Sequence, residues 1–248
     1  MKAMILAAGL GTRLRPLTND RPKALVEVHG RTLLEITLSR LREFGIRDII
    51  INAHHFADRI IEYLQSNHNF GLRIEVSRED VLLDTGGGLK KAAHFFLGDS
   101  APEPFLLHNV DVISAIDLAR MLRFHTQRKP LATLAVQHRH SSRRLLFNSS
   151  QQLCGRYSGD SGAELAVADC EANLAPLAFC GIHIISPRLL AMITEQGAFS
   201  IIDTYLRLAT AGEKILGFRA DDYYWRDLGK PENLTQAEED AKAGRVSV

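Results

Sequence analysis

Neither sign of charge is in excess: 30 Lys and Arg stand against 29 Asp and Glu in 248 residues, a formal charge of +1. A general nucleic-acid-binding surface needs a clear basic surplus, so no nucleic-acid partner is expected. A small anion held by a few placed cations is not excluded. Cysteine is scarce as well. Cys154, Cys170 and Cys180 contain no C-x-x-C pair for zinc and are too few and scattered for a disulfide framework. A reduced, cytoplasmic setting is therefore expected. No apolar run approaches the roughly 18 residues of a membrane span. The apolar stretch after Lys2 is about six residues long, below the roughly 7–15 of a secretory h-region. It meets glycine and arginine at once, so a buried first strand is expected there, with no membrane partner.

What is present is apolar residue, 46% of the chain, enough for a sizeable core. Residues 3–7 read as a buried strand. Residues 33–44 carry an apolar helical stripe, with Gly45 placed to end it. Ile49-Ile50-Ile51 makes 48–52 a β-branched central strand. A helix over 56–64, a strand over 72–76, a helix over 88–96 and a strand over 105–107 continue the alternation. This rhythm predicts a mostly parallel sheet with helices on both faces. The expected class is α/β, a three-layer αβα sandwich around a Rossmann-like mixed sheet.

The second half is less regular. Strands are expected over 131–137, 144–148, 179–185 and 214–219, and helices from Pro187, over 201–211 and over 232–243. The polar stretch 151–173 reads as hairpins and loops. No repeat or long linker divides the chain. One domain over 1–248 is expected, in two parts, 1–112 and 113–248.

The loop after the first strand is Gly9-Leu10-Gly11-Thr12-Arg13-Leu14-Arg15-Pro16-Leu17-Thr18. Ligands bind at the carboxyl ends of strands in open α/β sheets. Glycines there let backbone N–H groups approach phosphate oxygens, and Arg13, Arg15 and Lys23 add cations. A solvated glycine-rich turn is the plainer alternative. A dinucleotide fingerprint fails because Leu14 stands where the third glycine belongs, and Pro16 and Pro22 oppose a long helix. A Walker A loop fails because no Gly-Lys-Ser or Gly-Lys-Thr exists.

Leu6-Ala7-Ala8-Gly9-Leu10-Gly11-Thr12-Arg13-Leu14-Arg15-Pro16-Leu17-Thr18 followed by Arg21-Pro22-Lys23-Ala24-Leu25-Val26 resembles the signature of the sugar-1-phosphate nucleotidyltransferase family. The resemblance implies the nucleotide-diphospho-sugar transferase fold and a nucleotide lined by Leu6, Ala8, Gly9, Gly11 and Thr12. It implies that Arg13 holds the triphosphate and leaving pyrophosphate, with Lys23 at the reacting phosphate. Asp111, after the strand at 105–107, and Asp227, in Trp225-Arg226-Asp227-Leu228-Gly229, match its magnesium ligands. Val110 departs from the glycine the family commonly has before the first aspartate.

Leu83-Asp84-Thr85-Gly86-Gly87-Gly88 resembles the form in enzymes using N-acetylmuramate 1-phosphate and UTP. That branch is weighted above the guanylyl and thymidylyl branches, with mannose-1-phosphate guanylyltransferases close by. Asp84, Gly86 and Gly87 would form a wall against the base, and Asn52 would sit beside the nucleotide. For the sugar phosphate, Asn109 and Gly181 match family positions. Arg144, next to Arg143, either meets phosphate or is solvated; Asp203 either faces the cleft or starts a helix. The histidines of His54-His55 and His138-Arg139-His140 lack metal-like partners at useful spacing and read as surface or packing histidines.

The implied reaction is direct in-line attack of a sugar phosphate on the α-phosphorus of a nucleoside triphosphate, with no protein nucleophile. Two rivals remain. One is a sensor that binds nucleotide sugars without turnover. The other is a glycosyltransferase of similar sheet, for which Asn109-x-Asp111 is a partial metal motif and the Gly-Thr-Arg and Pro-Lys segments have no task. A monomer or small homo-oligomer is expected.

Overall fold

The computed structural model describes residues 1–98, 103–158, 162–167, 170 and 173–246. In chain order its strands are β1 (Ala3–Leu6), β2 (Glu27–Val28), β3 (Arg31–Thr32), β4 (Asp48–Ala53), β5 (Arg73–Arg78), β6 (Phe105–Asn109) and β7 (Val112–Ser114). There follow β8 (Ala132–Gln137), β9 (Arg143–Phe147), β10 (Leu153–Ser158), β11 (Gly162–Leu165), β12 (Ala175–Ile185), β13 (Ile215–Arg219) and β14 (Trp225–Asp227). The α-helices are α1 (Leu33–Glu43), α2 (Ala57–Ser66), α3 (Asp84–Lys91), α4 (His94–Leu97), α5 (Leu118–Arg128), α6 (Ile201–Thr210) and α7 (Pro231–Lys242).

Strands β5, β4, β1 and β6 lie side by side and parallel. β12 runs antiparallel between β6 and β8, and β13 continues parallel to β8. The Ile49-Ile50-Ile51 run is fully buried beside β1, as a strand covered on both faces must be. Alternate residues feed two cores. Ile5, Ile49 and Ile51 pack with α1 and α2 on one face, where α7 also contributes Leu234 and Ala237. Met4, Ile50 and Leu107 pack with Leu89 of α3 and with α6 on the other. The expected three-layer sandwich is the fold.

Local chemistry explains the helix ends. Thr32 Oγ1 accepts from Glu35 N at 3.1 Å and begins α1, while Gly45, at φ +93°, follows its end. Asp117 caps α5 by accepting from Arg120 N at 2.8 Å. α5 is absent from the sequence reading because its inward stripe is short: Leu118 and Met121, then a buried His125.

Three expectations are corrected. The helix read over 88–96 starts at Asp84 and contains all three glycines. Gly86 N donates to Phe199 O at 2.9 Å, and a Cβ on Gly86 would lie 2.3 Å from the Phe199 ring. The glycines permit close packing, which overrides their poor helix propensity. Pro187 opens only a 3-10 segment, Pro187–Met192, rather than an α-helix. Cys154 and Cys170 are joined in a disulfide, because the chain after β11 folds back so that Ala166 N and Val167 N both donate to Cys154 O. Cys180 is free and buried, its thiol pushed up to about 12 by burial. The stretch read as hairpins contains β10 and β11, which pair with each other, and β10 pairs with β9; 159–161, 168–169 and 171–172 lie outside the described residues. Among the described residues no helix is long and apolar enough to cross a membrane.

Candidate active site

β1, β4 and β6 end at one edge of the sheet, where the chain order passes from the β4–β5 side of β1 to the β6 side. This is the switch point at which open α/β sheets bind ligands. A cavity of about 590 Å³ opens there. Leu6, Ala8, Gly9, Gly11, Thr12, Arg13, Lys23, Asn52, Asp84, Asn109, Val110 and Asp111 line it, as does Gly229. Residues separated widely in sequence are brought together because three parallel strands end side by side.

The glycine loop is held in shape from within. Gly11 has φ +65°, and a Cβ there would lie 3.0 Å from Thr18 Cγ2 and 3.2 Å from Lys23 Cβ. Thr18 Oγ1 donates to Gly11 O at 2.9 Å. Leu14 N donates to the same carbonyl at 2.9 Å, and the Leu14 side chain is buried. Lys23, 8% exposed, forms an ion pair with Asp111.

Asp227 does not itself line the cavity; a short ladder missed by the sequence reading sets it beside Asp111 and Gly229, which do. In β14 it pairs with Val112 of β7, and Leu228 N donates to Asp111 O at 2.8 Å. The two aspartates are thus backbone neighbours. Asp227 Oδ1 accepts from Gly229 N at 2.9 Å, and its carbonyl accepts from Asn233 Nδ2 at 2.7 Å. Gly229 makes room for Arg13: a Cβ at 229 would lie 2.5 Å from Arg13 Nη2 and 2.8 Å from Asp227 Oδ1.

Asp111 in the cavity and Asp227 just beside it suit magnesium, which is usually bound through one or two carboxylates plus substrate phosphates. Among the described residues no cluster of three or more His, Cys, Asp or Glu offers an all-protein cage. The donor set fits a metal that arrives with its nucleotide.

Gly86 and Gly87 do not line the cavity. They lie buried in α3, where Gly87 faces Gly197 O, 2.5 Å from where its Cβ would be. That side of the cavity is lined instead by Leu82, Asp84, Thr85 and Ala198. Gly181 sits behind Asn109: its φ is +72°, and a Cβ there would lie 2.9 Å from Asn109 Nδ2. Arg144 and Asp203 line a second cavity, likewise about 590 Å³, with Arg143, Arg156 and Tyr157. There Arg156 bridges Asp203 and Glu164, each at 2.7 Å, and the Arg144 guanidinium lies over the Tyr157 ring at 4.5 Å. The irregular middle of β12 separates the cavities: Phe179 lines the second, and Gly181 backs the first.

Two residues of this region escape sequence reasoning. Arg139 lies over the Trp225 ring at 3.8 Å and donates to Phe179 O at 2.8 Å. Burial lowers its pKa, an effect that the charge of Asp227 opposes. No motif marks it. Glu79 is 4% exposed behind the cleft and bonds Asn52. Its only signal is Gly88, whose Cβ would lie 2.8 Å from Glu79 Oε1.

Fold and cleft together set a glycine loop, two cations and a carboxylate at the ligand-binding edge of a Rossmann-like sheet. Residues 2–145 match the Nucleotidyl transferase family, and the chain belongs to it. It is 35% identical to N-acetylmuramate alpha-1-phosphate uridylyltransferase of Caulobacter vibrioides over 248 residues, 95% of each chain. It is 28% identical to UTP–glucose-1-phosphate uridylyltransferase of Synechocystis sp., covering 96% of this chain and 62% of that one. A UDP-glucose pyrophosphorylase crystallised with UDP-glucose shares the fold, with TM-score 0.79, 17% identity, and 98% of this chain and 99% of that chain covered.

Proposed function

We propose that this nucleotidyltransferase joins UTP to a sugar 1-phosphate, giving a UDP-sugar and pyrophosphate for cell-wall or polysaccharide synthesis. One observation carries the reading: Arg13, Lys23 and Asp111 converge with the glycine loop in one cavity at the end of β1. A phosphate oxygen of the sugar 1-phosphate attacks the α-phosphorus. The bond to the bridging oxygen breaks, and its electron pair leaves with pyrophosphate. Catalysis is positioning plus charge stabilisation. Arg13 tracks charge on the departing pyrophosphate, Lys23 tracks charge at the α-phosphoryl group, and the 9–12 backbone orients the phosphates. Asp111 and Asp227 would hold magnesium, which would offset charge on the non-bridging phosphate oxygens.

Leu6, Ala8, Gly9, Gly11, Thr12, Asn52 and Asp84 take the nucleotide, with Gly86 and Gly87 supporting the base wall from behind. Asn109 and Gly181 border the sugar phosphate. Arg144 and Asp203, in the second cavity, take the far side of the sugar. UTP is favoured by Asp84-Thr85-Gly86-Gly87-Gly88 and by likeness to the Caulobacter uridylyltransferase. The test is pyrophosphate release from four nucleoside triphosphates paired with several sugar 1-phosphates, with magnesium present. UTP should be preferred. Preference for GTP or dTTP would overturn the base assignment, and nucleotide binding without any pyrophosphate release would overturn the enzymatic reading.

A further inference from the structure

Glu79 belongs to no motif and lines neither cavity, yet its side chain is buried between two parts of the nucleotide cleft. Its Oε1 accepts from Asn52 Nδ2 at 2.7 Å, and its Oε2 accepts from Leu83 N at 3.0 Å. Asn52 in turn uses Oδ1 to accept from Ala7 N at 2.8 Å. A continuous relay therefore runs from the first residue of the phosphate loop to the segment carrying Leu82, Asp84 and Thr85. Glu79 is itself fixed, since Glu79 N donates to Ala53 O at 2.8 Å and His54 Nδ1 donates to Glu79 O at 2.8 Å. Glycine at 88 leaves the space: a Cβ there would lie 2.7 Å from Asn52 Nδ2.

The donors and acceptors of this relay must alternate. Ala7 N and Leu83 N are backbone groups that only donate. Between them stand one amide, which accepts on one side and donates on the other, and one carboxylate, which accepts on both. That combination closes with every group satisfied. Two amides leave one N–H facing another wherever they are flipped. Two ionised carboxylates leave one oxygen facing another, and they close the relay only by taking up a proton between them. An amide and a carboxylate exchanged in position close the relay again.

We infer that Glu79 is a positioning residue for the nucleotide, acting through Asn52 to hold the phosphate loop and the Leu82–Thr85 wall at one spacing. The inference rests on the nucleotide reading of the cleft. Glu79 touches no reacting atom, so its loss weakens binding of the nucleotide and leaves the cations at the phosphates in place. Uniform binding lost in this way raises KM with kcat nearly unchanged.

The experiment is a double-mutant cycle on the full chain: Glu79→Gln, Asn52→Asp and the exchanged pair together. Each single variant should lower kcat/KM by roughly tenfold to a hundredfold, the scale of one unsatisfied buried group, chiefly through KM for the nucleotide. The exchanged pair should recover a clear part of the KM lost by the single variants, since it restores the alternation, without reaching the wild type, because it sets a carboxylate in the cleft lining. Melting temperatures of all four proteins are measured without ligand, and they should follow the same pattern. An exchanged pair as impaired as the product of the two single effects overturns the relay, as do single variants that behave like wild type. Recovery of the melting temperature without recovery of KM overturns the positioning role. If the wild type binds no nucleoside triphosphate, the functional reading falls, while the ligand-free melting cycle still tests the relay.

Discussion

Lys23 and Asp111 form an ion pair in the nucleotide cleft although 88 residues separate them. The Lys23 side chain is only 9% exposed and that of Asp111 20%, so neither charge is well solvated. Removing one partner of a buried pair costs about 3–5 kcal/mol, because the other is left uncompensated. Asp111→Ala should therefore melt at a clearly lower temperature than wild type. Asp227→Ala leaves the pair intact and should melt near wild type. Both should lose at least roughly a hundredfold in turnover and lose their response to magnesium. Magnesium titrations of pyrophosphate release, with thermal melts, check this; normal turnover in either variant would remove that aspartate from the metal site.

Gly229 separates activity from stability in another way. Its φ is not in the left-handed region, so alanine fits the backbone there. The added Cβ would meet Arg13 Nη2 and Asp227 Oδ1, and the first of these is the tip of a flexible side chain that gives way at little cost. Gly229→Ala should melt within about 1 kcal/mol of wild type in stability and lose turnover roughly tenfold or more, since small misplacement of a catalytic cation is costly. Unchanged turnover would place Arg13 outside the reaction.

Gly87 tests the packing behind the base wall. A Cβ there would come 2.5 Å from Gly197 O and 3.0 Å from Leu83 Cβ, and a backbone carbonyl yields less readily than a side-chain tip. Gly87→Val should destabilise by about 1–3 kcal/mol and weaken nucleotide binding, because Ala198 of the displaced segment lines the cleft. Calorimetric titration with UTP and a thermal melt read both effects. Full affinity would show that the 197–199 segment does not shape the nucleotide site.

Burial holds three histidines neutral: His108 and His183 are lowered to about 3 and His125 to about 4. Desolvation dominates in each, reinforced by the charge of Arg40 at His108 and by His108 at His183. In the unfolded chain each returns to its usual value near 6.5. Below that pH the unfolded chain binds protons that the folded one does not. Stability contributed by these groups is therefore complete above about 6.5 and is lost as pH falls toward 4. His125, between Thr133 Oγ1 and Ser186 Oγ, is the best handle. His125→Gln should flatten the acid limb by up to about 1.4 kcal/mol per pH unit, read by melts from pH 7 to 4. An unchanged slope would show that His125 does not carry it.

The glycine-loop side of the cleft was legible as a place because its parts are contiguous. The glycine loop, Arg13 and Lys23 lie within about twenty residues of a strand whose burial the apolar pattern announces. Asp111, marked as the residue after a buried strand, lines the cleft, and Asp227, marked by the Trp-x-Asp-x-Gly pattern, lies beside it. What stayed hidden depends on pairing between distant segments. The β7–β14 ladder is three residues on each side, too short for periodicity. The three glycines suggested a wall at the start of a helix, yet contacts with Phe199 and Gly197 place all three inside it. Glu79 and Arg139 look like surface charges in one dimension. One is buried by β4 and α3, and the other is held by Trp225, 86 residues further along the chain.

The central claim is that Arg13 and Lys23 stabilise charge that grows as pyrophosphate departs. A cation following that charge helps the transition state more than the ground state, so its loss lowers kcat and not only affinity. The most direct measurement is turnover, read as pyrophosphate release, alongside nucleotide affinity for Arg13→Ala, Lys23→Ala and Arg15→Ala. Arg15 does not line the cleft and should change little. Arg13→Ala and Lys23→Ala should each fall roughly a hundredfold to a thousandfold in kcat while still binding nucleotide. Near-normal kcat in both, with the proteins folded, would contradict the account.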